Sequence, residues 1–373
     1  MVRSGLVIAG AAMWLCISAI PSLAQSLTWL GTLPGGSWSI ARAVSADGSV
    51  VVGNAEGASG YQRPFIWTQR TGIIDLGTPG THGIAFGVSA DGSVVVGWMA
   101  STGLGNYHAF RWENGQLQNL MPGFASEARS VSADGKVVVG SYIADTRLVR
   151  SFLWDAQGGA RDMGNLDGGS TYIRAVSADG STAVGYSQKA DGKRVGIMWT
   201  ADGGLQTLGL LPGGTWSEAQ AVSANGQVIV GRAQDASLGY YAARWVGGQV
   251  ESLGVLPVFS SSWAYSVSGD GLKVVGSVLR NGGESHAFLW TPWSGMIDLN
   301  DLYADLLTDG SVFIKAEAIS SDGRFVVGSG INGVTGRYEG FLIDVSMITA
   351  VPEPASIVAT GLGIALLALR RRR

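Results

Sequence analysis

One pattern, V-S-A-D-G-x-x-x-V-G, recurs seven times along this chain, and no other feature of the sequence restricts its fold so strongly. The copies occupy residues 44–53, 88–97, 131–140, 176–185, 222–231 (Asn225 for the aspartate), 267–276 (Gly269 for the alanine) and 319–328 (Ile319 and Ser321). Their starts lie 44, 43, 45, 46, 45 and 52 residues apart. A second motif follows each start by 23 or 24 residues and ends in Trp67, Trp112, Trp154, Trp199, Trp245 and Trp290, with Ile343 in the seventh copy. A third, roughly L-G-x-L-P-G-G, spans residues 30–36 and returns around Leu76, Leu120, Met163, Leu208, Leu253 and Leu299. Repetition at a fixed period of this length signals a repeat architecture in which each unit buries its apolar face on its neighbours.

Each unit reads as four short strands. Strand A runs into the V-S-A-D-G turn, B is the following valine run, C ends at the tryptophan, and D ends at the Leu-Gly pair. Asp-Gly or Asn-Gly between two apolar runs predicts a tight hairpin with φ > 0 at both central residues. The 57 glycines, with no Gly-X-Y order, agree with many turns between short strands. Units of about 45 residues with four strands each match propeller blades. The motifs are also out of phase: the chain opens on a D segment (residues 27–33) and its repeats end on a C segment (340–343). If the first strand completes the last unit, no edge is left unpaired. The expectation is therefore an all-β, seven-bladed β-propeller closed by the N-terminal strand, with an open β-solenoid as the alternative.

Three regions follow: 1–24, 25–346 and 347–373. At the first, Arg3 precedes an apolar run from Leu6 to Ile20, then Pro21 and the small-residue site Ser22-Leu23-Ala24. That is the layout of a cleavable signal peptide, with a mature start at Gln25. At the other end, Val351-Pro352-Glu353-Pro354 precedes a 15-residue apolar run from Ala355 to Leu369 and the cluster Arg370, Arg371, Arg372 and Arg373. The run is long enough for only a short transmembrane segment, and the arginines favour the cytoplasmic side. These three parts in order resemble the PEP-CTERM sorting signal of Gram-negative bacteria. The resemblance implies an exosortase-type processing enzyme as partner, a transient inner-membrane anchor, and a final location at the cell envelope, outer surface or outside the cell.

The repeats resemble the HAF repeat family, extracellular bacterial repeats named for a His-Ala-Phe tripeptide. His108-Ala109-Phe110 and His286-Ala287-Phe288 match it in full, whereas Arg63-Pro64-Phe65, Arg150-Ser151-Phe152 and Glu339-Gly340-Phe341 keep only the phenylalanine. Val195-Gly196-Ile197 and Tyr241-Ala242-Ala243 lack it. The resemblance covers about residues 27–345 and brings no assigned enzymatic activity to carry over, so it names the repeat and not its role.

Little in the body suggests chemistry. Both tails together hold five arginines and one glutamate, which leaves 20 of 25 basic and 27 of 28 acidic residues in the body, a net −7. Nucleic-acid binding, which rests on neutralising phosphates, is not expected. The one cysteine, Cys16, falls in the apolar leader, so the mature chain has no thiol. The three histidines are His82, His108 and His286, and the last two hold equivalent positions in different units, too far apart for one metal. Each Asp-Gly turn has a single acid where a calcium loop needs several oxygens. The repeated tryptophans suit packing between blades, and the repeated serines suit turn chemistry. No catalytic residue, cofactor or metal is expected.

Binding is the remaining role. In a four-stranded meander the B–C and D–A connections share one face, and the B–C segments (residues 54–62, 98–107, 141–149, 186–194, 232–240, 277–285 and 329–338) read as long, variable loops. The D–A loops add Trp38, His82, Phe124, Tyr172, Trp216 and Trp263. Aromatic groups on a rigid frame suit a glycan such as exopolysaccharide, or a surface protein. A polysaccharide-acting enzyme on the same scaffold is the competing class, and would need a carboxylate pair near the channel mouth.

Overall fold

The computed structural model describes residues 25–79, 82–100, 107–144, 148–166, 168–189 and 191–348. The expected signal peptide and the sorting motif from Val351 to Arg373 lie outside these residues. Among the described residues no helix is long and apolar enough to cross a membrane.

The chain forms seven four-stranded antiparallel sheets arranged in a ring, a seven-bladed β-propeller. In the first blade the strands are Ser39–Val44, Val50–Glu56, Gln62–Thr68 and Gly72–Asp75, hydrogen-bonded in that order. The inner strands of the next six are Gly83–Val88, Ser126–Val131, Ser170–Val176, Ser217–Val222, Ser261–Val267 and Val312–Ile319. The seventh sheet takes its outer strand from the N-terminus: Leu27, Thr28 and Trp29 pair with Ile343, Leu342 and Phe341. Leu30 N–H extends the ladder to Gly340 O at 2.8 Å. The ring is closed as the motif order predicts, although the strand proper ends at Trp29, and the open solenoid is excluded.

The Asp-Gly turns differ from expectation in one respect. Gly48 is left-handed (φ 75°), but Asp47 is not among the residues with positive φ. Gly48 N–H bonds Ser45 O, and Ser45 N–H bonds Val50 O, so the turn is of the ordinary hand and closes through a left-handed glycine. Side chains explain the preference. Ser45 Oγ donates to Asp47 Oδ1 (2.7 Å) and accepts from Val50 N–H (3.0 Å), while Asp47 Oδ1 also accepts from Ser49 N–H (3.0 Å). The serine is fully buried in this role. The same set recurs at Ser89–Asp91, Ser132–Asp134, Ser177–Asp179 and Ser223–Asn225.

The alanine of each motif meets its neighbour. Ala46 N–H bonds Ala90 O, Ala90 bonds Ala133, and the chain continues through Ala178, Ala224 and Gly269 to Ser321, with N–O distances of 2.8–3.1 Å. This inter-blade belt needs small residues: a Cβ on Gly269 would meet Ser321 Oγ at 2.4 Å.

Between blades, Phe65, Phe110, Phe152, Phe288 and Phe341 are fully buried. The phenylalanine of the His-Ala-Phe tripeptide is therefore a core position. The recurrent tryptophans pack onto the preceding blade: Trp154 joins Val94 and Val96 in one cluster, and Trp245 Nε1–H donates to Gly209 O at 2.8 Å. The 52-residue spacing before the last repeat is also explained. A helical turn, α1 (Leu299–Leu302), capped by Asp298, and a 3₁₀ turn (Ala304–Leu306) are inserted there. They bury Leu299 and Tyr303 in the core of the closing blade.

Candidate functional site: the upper mouth of the central channel

Every inner strand carries a β-bulge at the same repeat position, and the seventh has a second between Phe313 and Lys315. The ladder skips from Ala41 to Ala43, Ala85 to Gly87, Ala128 to Ser130, Ile173 to Ala175, Ala219 to Ala221, Ala264 to Ser266 and Ala316 to Ala318. A bulge leaves its extra residue unpaired and re-aims the side chain. Here the skipped residues are Arg42, Phe86, Arg129, Arg174, Gln220, Tyr265 and Glu317, and all seven line one cavity in the central channel. The channel that continues from them, about 310 Å³ including the ring, is walled further down by small and β-branched residues as far as the alanine belt. The bulge also explains the closing glycine of the repeat, because a Cβ on Gly53 would lie 2.0 Å from Ile40 O and one on Gly185 would lie 1.9 Å from Tyr172 O.

The ring residues form a charged lattice. Arg42 pairs with Glu317 at 3.3 Å. Arg129 holds Glu127 by two hydrogen bonds of 2.7 and 2.9 Å and lies 4.0 Å from the Phe86 ring centre. Arg174 donates to Tyr186 Oη at 3.3 Å, and its Nε is buried without a partner. Burial pushes Tyr265, which shares a 3.1 Å hydrogen bond with Ser277, up to about 12.

One step toward the upper face, where the B–C and D–A connections lie, arginines and aromatic rings interleave across blades four to six. Tyr172 and Tyr186 are cross-strand partners stacked at 4.7 Å. Arg194 lies 4.7 Å from Tyr186 and bonds Glu218 at 3.0 Å. Arg232, the cross-strand partner of Glu218, sits among Trp216 (4.6 Å), Tyr240 (5.1 Å) and Trp263 (3.5 Å). Burial lowers the proton affinity of the Arg232 guanidinium, and the nearly inaccessible Glu218 opposes that shift.

The six residues singled out from sequence all fall at the upper face, yet not all where expected. Trp38, His82, Phe124 and Trp216 precede inner strands, whereas Tyr172 and Trp263 are inside them. None is buried, and Phe124 is the most open at 36% exposed. Trp216 and Trp263 are not bare stacking platforms, because Arg232 occupies the space between them. The B–C segments are shorter than the sequence suggests. Strand B continues past its glycine, as in the pairs Glu56 with Gln62 and Gln188 with Arg194, so Tyr186 and Arg232 are strand residues.

The histidines stay apart. His82 lies 4.2 Å from Tyr61, His108 Nδ1 is 3.2 Å from Phe124 O, and His286 Nδ1 is 2.6 Å from Asp298 Oδ2. Among the described residues no cluster of three or more His, Cys, Asp or Glu is arranged to hold a metal.

No protein-family model matches the chain, and no curated protein matches it. Solved structures do. The β-propeller domain of the Trilobed protease from Pyrococcus furiosus, described as having an open velcro topology, superposes with a TM-score of 0.54 at 10% identity, over 83% of this chain and 96% of that one. A prolyl endopeptidase superposes at 0.51 and 11%, over 74% of this chain and 42% of its own length. TolB from Acinetobacter baumannii gives 0.48 and 13%, over 81% of this chain and 65% of that one. The chain thus spans less than half of the endopeptidase and about two thirds of that TolB. At such identities the likeness extends to architecture alone, and the chain is similar to these proteins as a β-propeller.

Proposed function

We propose that the chain is an exported, non-catalytic binding scaffold that holds a glycan such as exopolysaccharide, or a surface protein, at the upper mouth of its channel. One observation carries this reading. The mouth gathers Arg42, Arg129, Arg174, Arg194 and Arg232 with half-buried rings on a frame whose opposite face consists of tight, self-satisfied turns. Rigid frames with variable polar and aromatic groups at one face are where binding resides. The glutamates nearest the mouth, Glu127, Glu218 and Glu317, are each engaged by an arginine, which supports binding over acid–base hydrolysis.

The test is retention of the purified chain on exopolysaccharide and on cells of the producing organism. A Trp38→Ala, Trp216→Ala, Trp263→Ala variant should keep its circular dichroism spectrum and lose retention. Unchanged retention in the folded variant would move the site elsewhere, and release of reducing ends from the polymer by the unmodified chain would make it an enzyme. For export, intact mass of protein from the native surface should begin at Gln25 and lack Arg370–Arg373. Dominance of a species that keeps the arginine cluster would reduce the C-terminus to a plain anchor.

A further inference from the structure

We propose that the bulge ring is an oxyanion site and that its ligand is the carboxylate of an acidic sugar, with Arg174 as the primary contact. This rests on the glycan-binding reading and names the class of glycan. Of the three arginines in the ring, two are neutralised: Arg42 by Glu317 and Arg129 by Glu127. Arg174 has no carboxylate within ion-pair distance among the described residues. Its contacts are the hydroxyl of Tyr186 and the face of that ring at 5.3 Å, and its Nε has no hydrogen-bond partner.

Arg174 is half-buried, and its buried Nε–H lacks an acceptor that a ligand oxygen would supply. The planar fork of arginine fits a carboxylate through two parallel hydrogen bonds. The neighbouring cations sharpen the demand. Burial holds the Arg129 guanidinium below its ordinary value, Glu127 opposes this, and Arg174 and Arg42 add to it, so the three charges act on one another across the channel. The body as a whole is acidic, so this positive region is local rather than a share of a general excess.

Size and surroundings select a sugar. The cavity lined by the seven ring residues holds about 260 Å³, just under the ~300 Å³ at which ordinary ligand pockets begin, so it admits a single sugar unit and not a larger group. A pyranose offers a carboxylate to Arg174, hydroxyls to Gln220 and Tyr265 on adjacent blades, and C–H faces to the rings above.

The experiment is calorimetric titration of the full chain with polygalacturonate, the same polymer after carboxyl reduction, polyglutamate, free galacturonate and sulfate. Tighter binding of polygalacturonate than of its reduced form, by about tenfold or more, is expected, as is weakening by salt. Arg174→Gln should lose about tenfold for the acidic polymer, the worth of one charge-assisted contact, and nothing for the neutral one. Its melting temperature should not fall, because Arg174 has no ion pair to lose among the described residues and its Nε–H is already without an acceptor. Arg174→Lys should recover part of the binding, and the exposed Arg161→Gln should change nothing. Equal affinity for acidic and reduced polymers would overturn the oxyanion site while leaving the glycan reading intact. Arg174-dependent binding of sulfate, with no sugar bound, would keep the site and overturn the glycan reading, whereas free galacturonate bound without the polymer would keep the acidic sugar and overturn a polysaccharide as its source. Polyglutamate matching polygalacturonate would overturn the assignment to sugars, and undiminished binding by folded Arg174→Gln would overturn the site.

Discussion

At the residue scale, the repeated motif is a set of solved local problems. In the turn, the aspartate is held ionised. A hydrogen bond from Ser89 and the N–H and hydroxyl of Ser93 lower Asp91 from its ordinary 3.8 to about 2. Asp47, Asp134 and Asp179 are lowered as well, Asp47 chiefly by the Ser49 N–H and the other two chiefly by the serine two residues before. Because the folded values lie below the unfolded ones, the stabilisation is complete above about pH 4 and is lost as pH falls toward 2. Converting these four aspartates to asparagine should therefore flatten the acid side of a plot of melting temperature against pH. It should do so at little cost at neutral pH, since Asn225 already accepts from Ser223 Oγ (2.8 Å) and Gln227 N–H (3.1 Å) in this role. An unchanged acid limb would mean that other carboxylates govern it. The glycine that ends the motif has a different reason: Gly185→Ala would drive a methyl group into Tyr172 O, and overpacking of this kind costs ~1–3 kcal/mol. Denaturant unfolding should show that loss, with the bulge at Arg174 as the part displaced.

At the element scale, the strand order and the closing strand are legible in the sequence because hairpin turns and apolar runs have periods of their own. The bulge is not, since the residue it ejects looks like any other member of a strand. A signal was present all the same. Two residues before the valine of each motif stand Arg42, Phe86, Arg129, Arg174, Gln220, Tyr265 and Glu317, a chemically divergent column inside an otherwise uniform repeat. Arg232 lies between Trp216 and Trp263 on a strand, although its place after the motif's glycine reads as the start of a loop. The closing strand yields a sharper test. Residues 26–34 bring Leu30 and Leu33, 5% and 4% exposed, into the first blade's core, and Leu27 and Trp29 into that of the seventh. Burial of the two leucines alone is worth ~3–6 kcal/mol at ~1.5–3 each, a large part of the ~5–15 kcal/mol that holds a typical domain together. Deleting 26–34 should abolish the cooperative melting transition of the whole body, and a transition at the original temperature would disprove closure by this strand.

At the scale of the whole molecule, bulk charge misleads, because a net −7 for the body hides a channel mouth where five named arginines meet three glutamates. Closure has a consequence of its own. In an open stack the terminal repeats need special caps, whereas in a ring each blade has two equivalent neighbours and the break in the chain can be placed in any blade. Here the break is in the seventh, where the ends of the body meet: Asp344 N–H bonds Ser26 O at 3.3 Å, and Ile348 packs in the same cluster as Leu27. A short Gly-Ser linker from Ile348 to Gln25, with new termini at the two-residue turn Asn114-Gly115, would move the closing strand to the second blade. That turn joins Glu113 to Gln116 with both its residues left-handed, and it is remote from the bulge ring because it lies on the lower face. The permuted chain should fold to the same ring, melt in one transition close to that of the parent, and retain the same ligand. If it fails to fold, blade seven, with α1 and Tyr303 buried against it, is an obligatory seam, and the seven blades are not interchangeable in the way their sequences suggest.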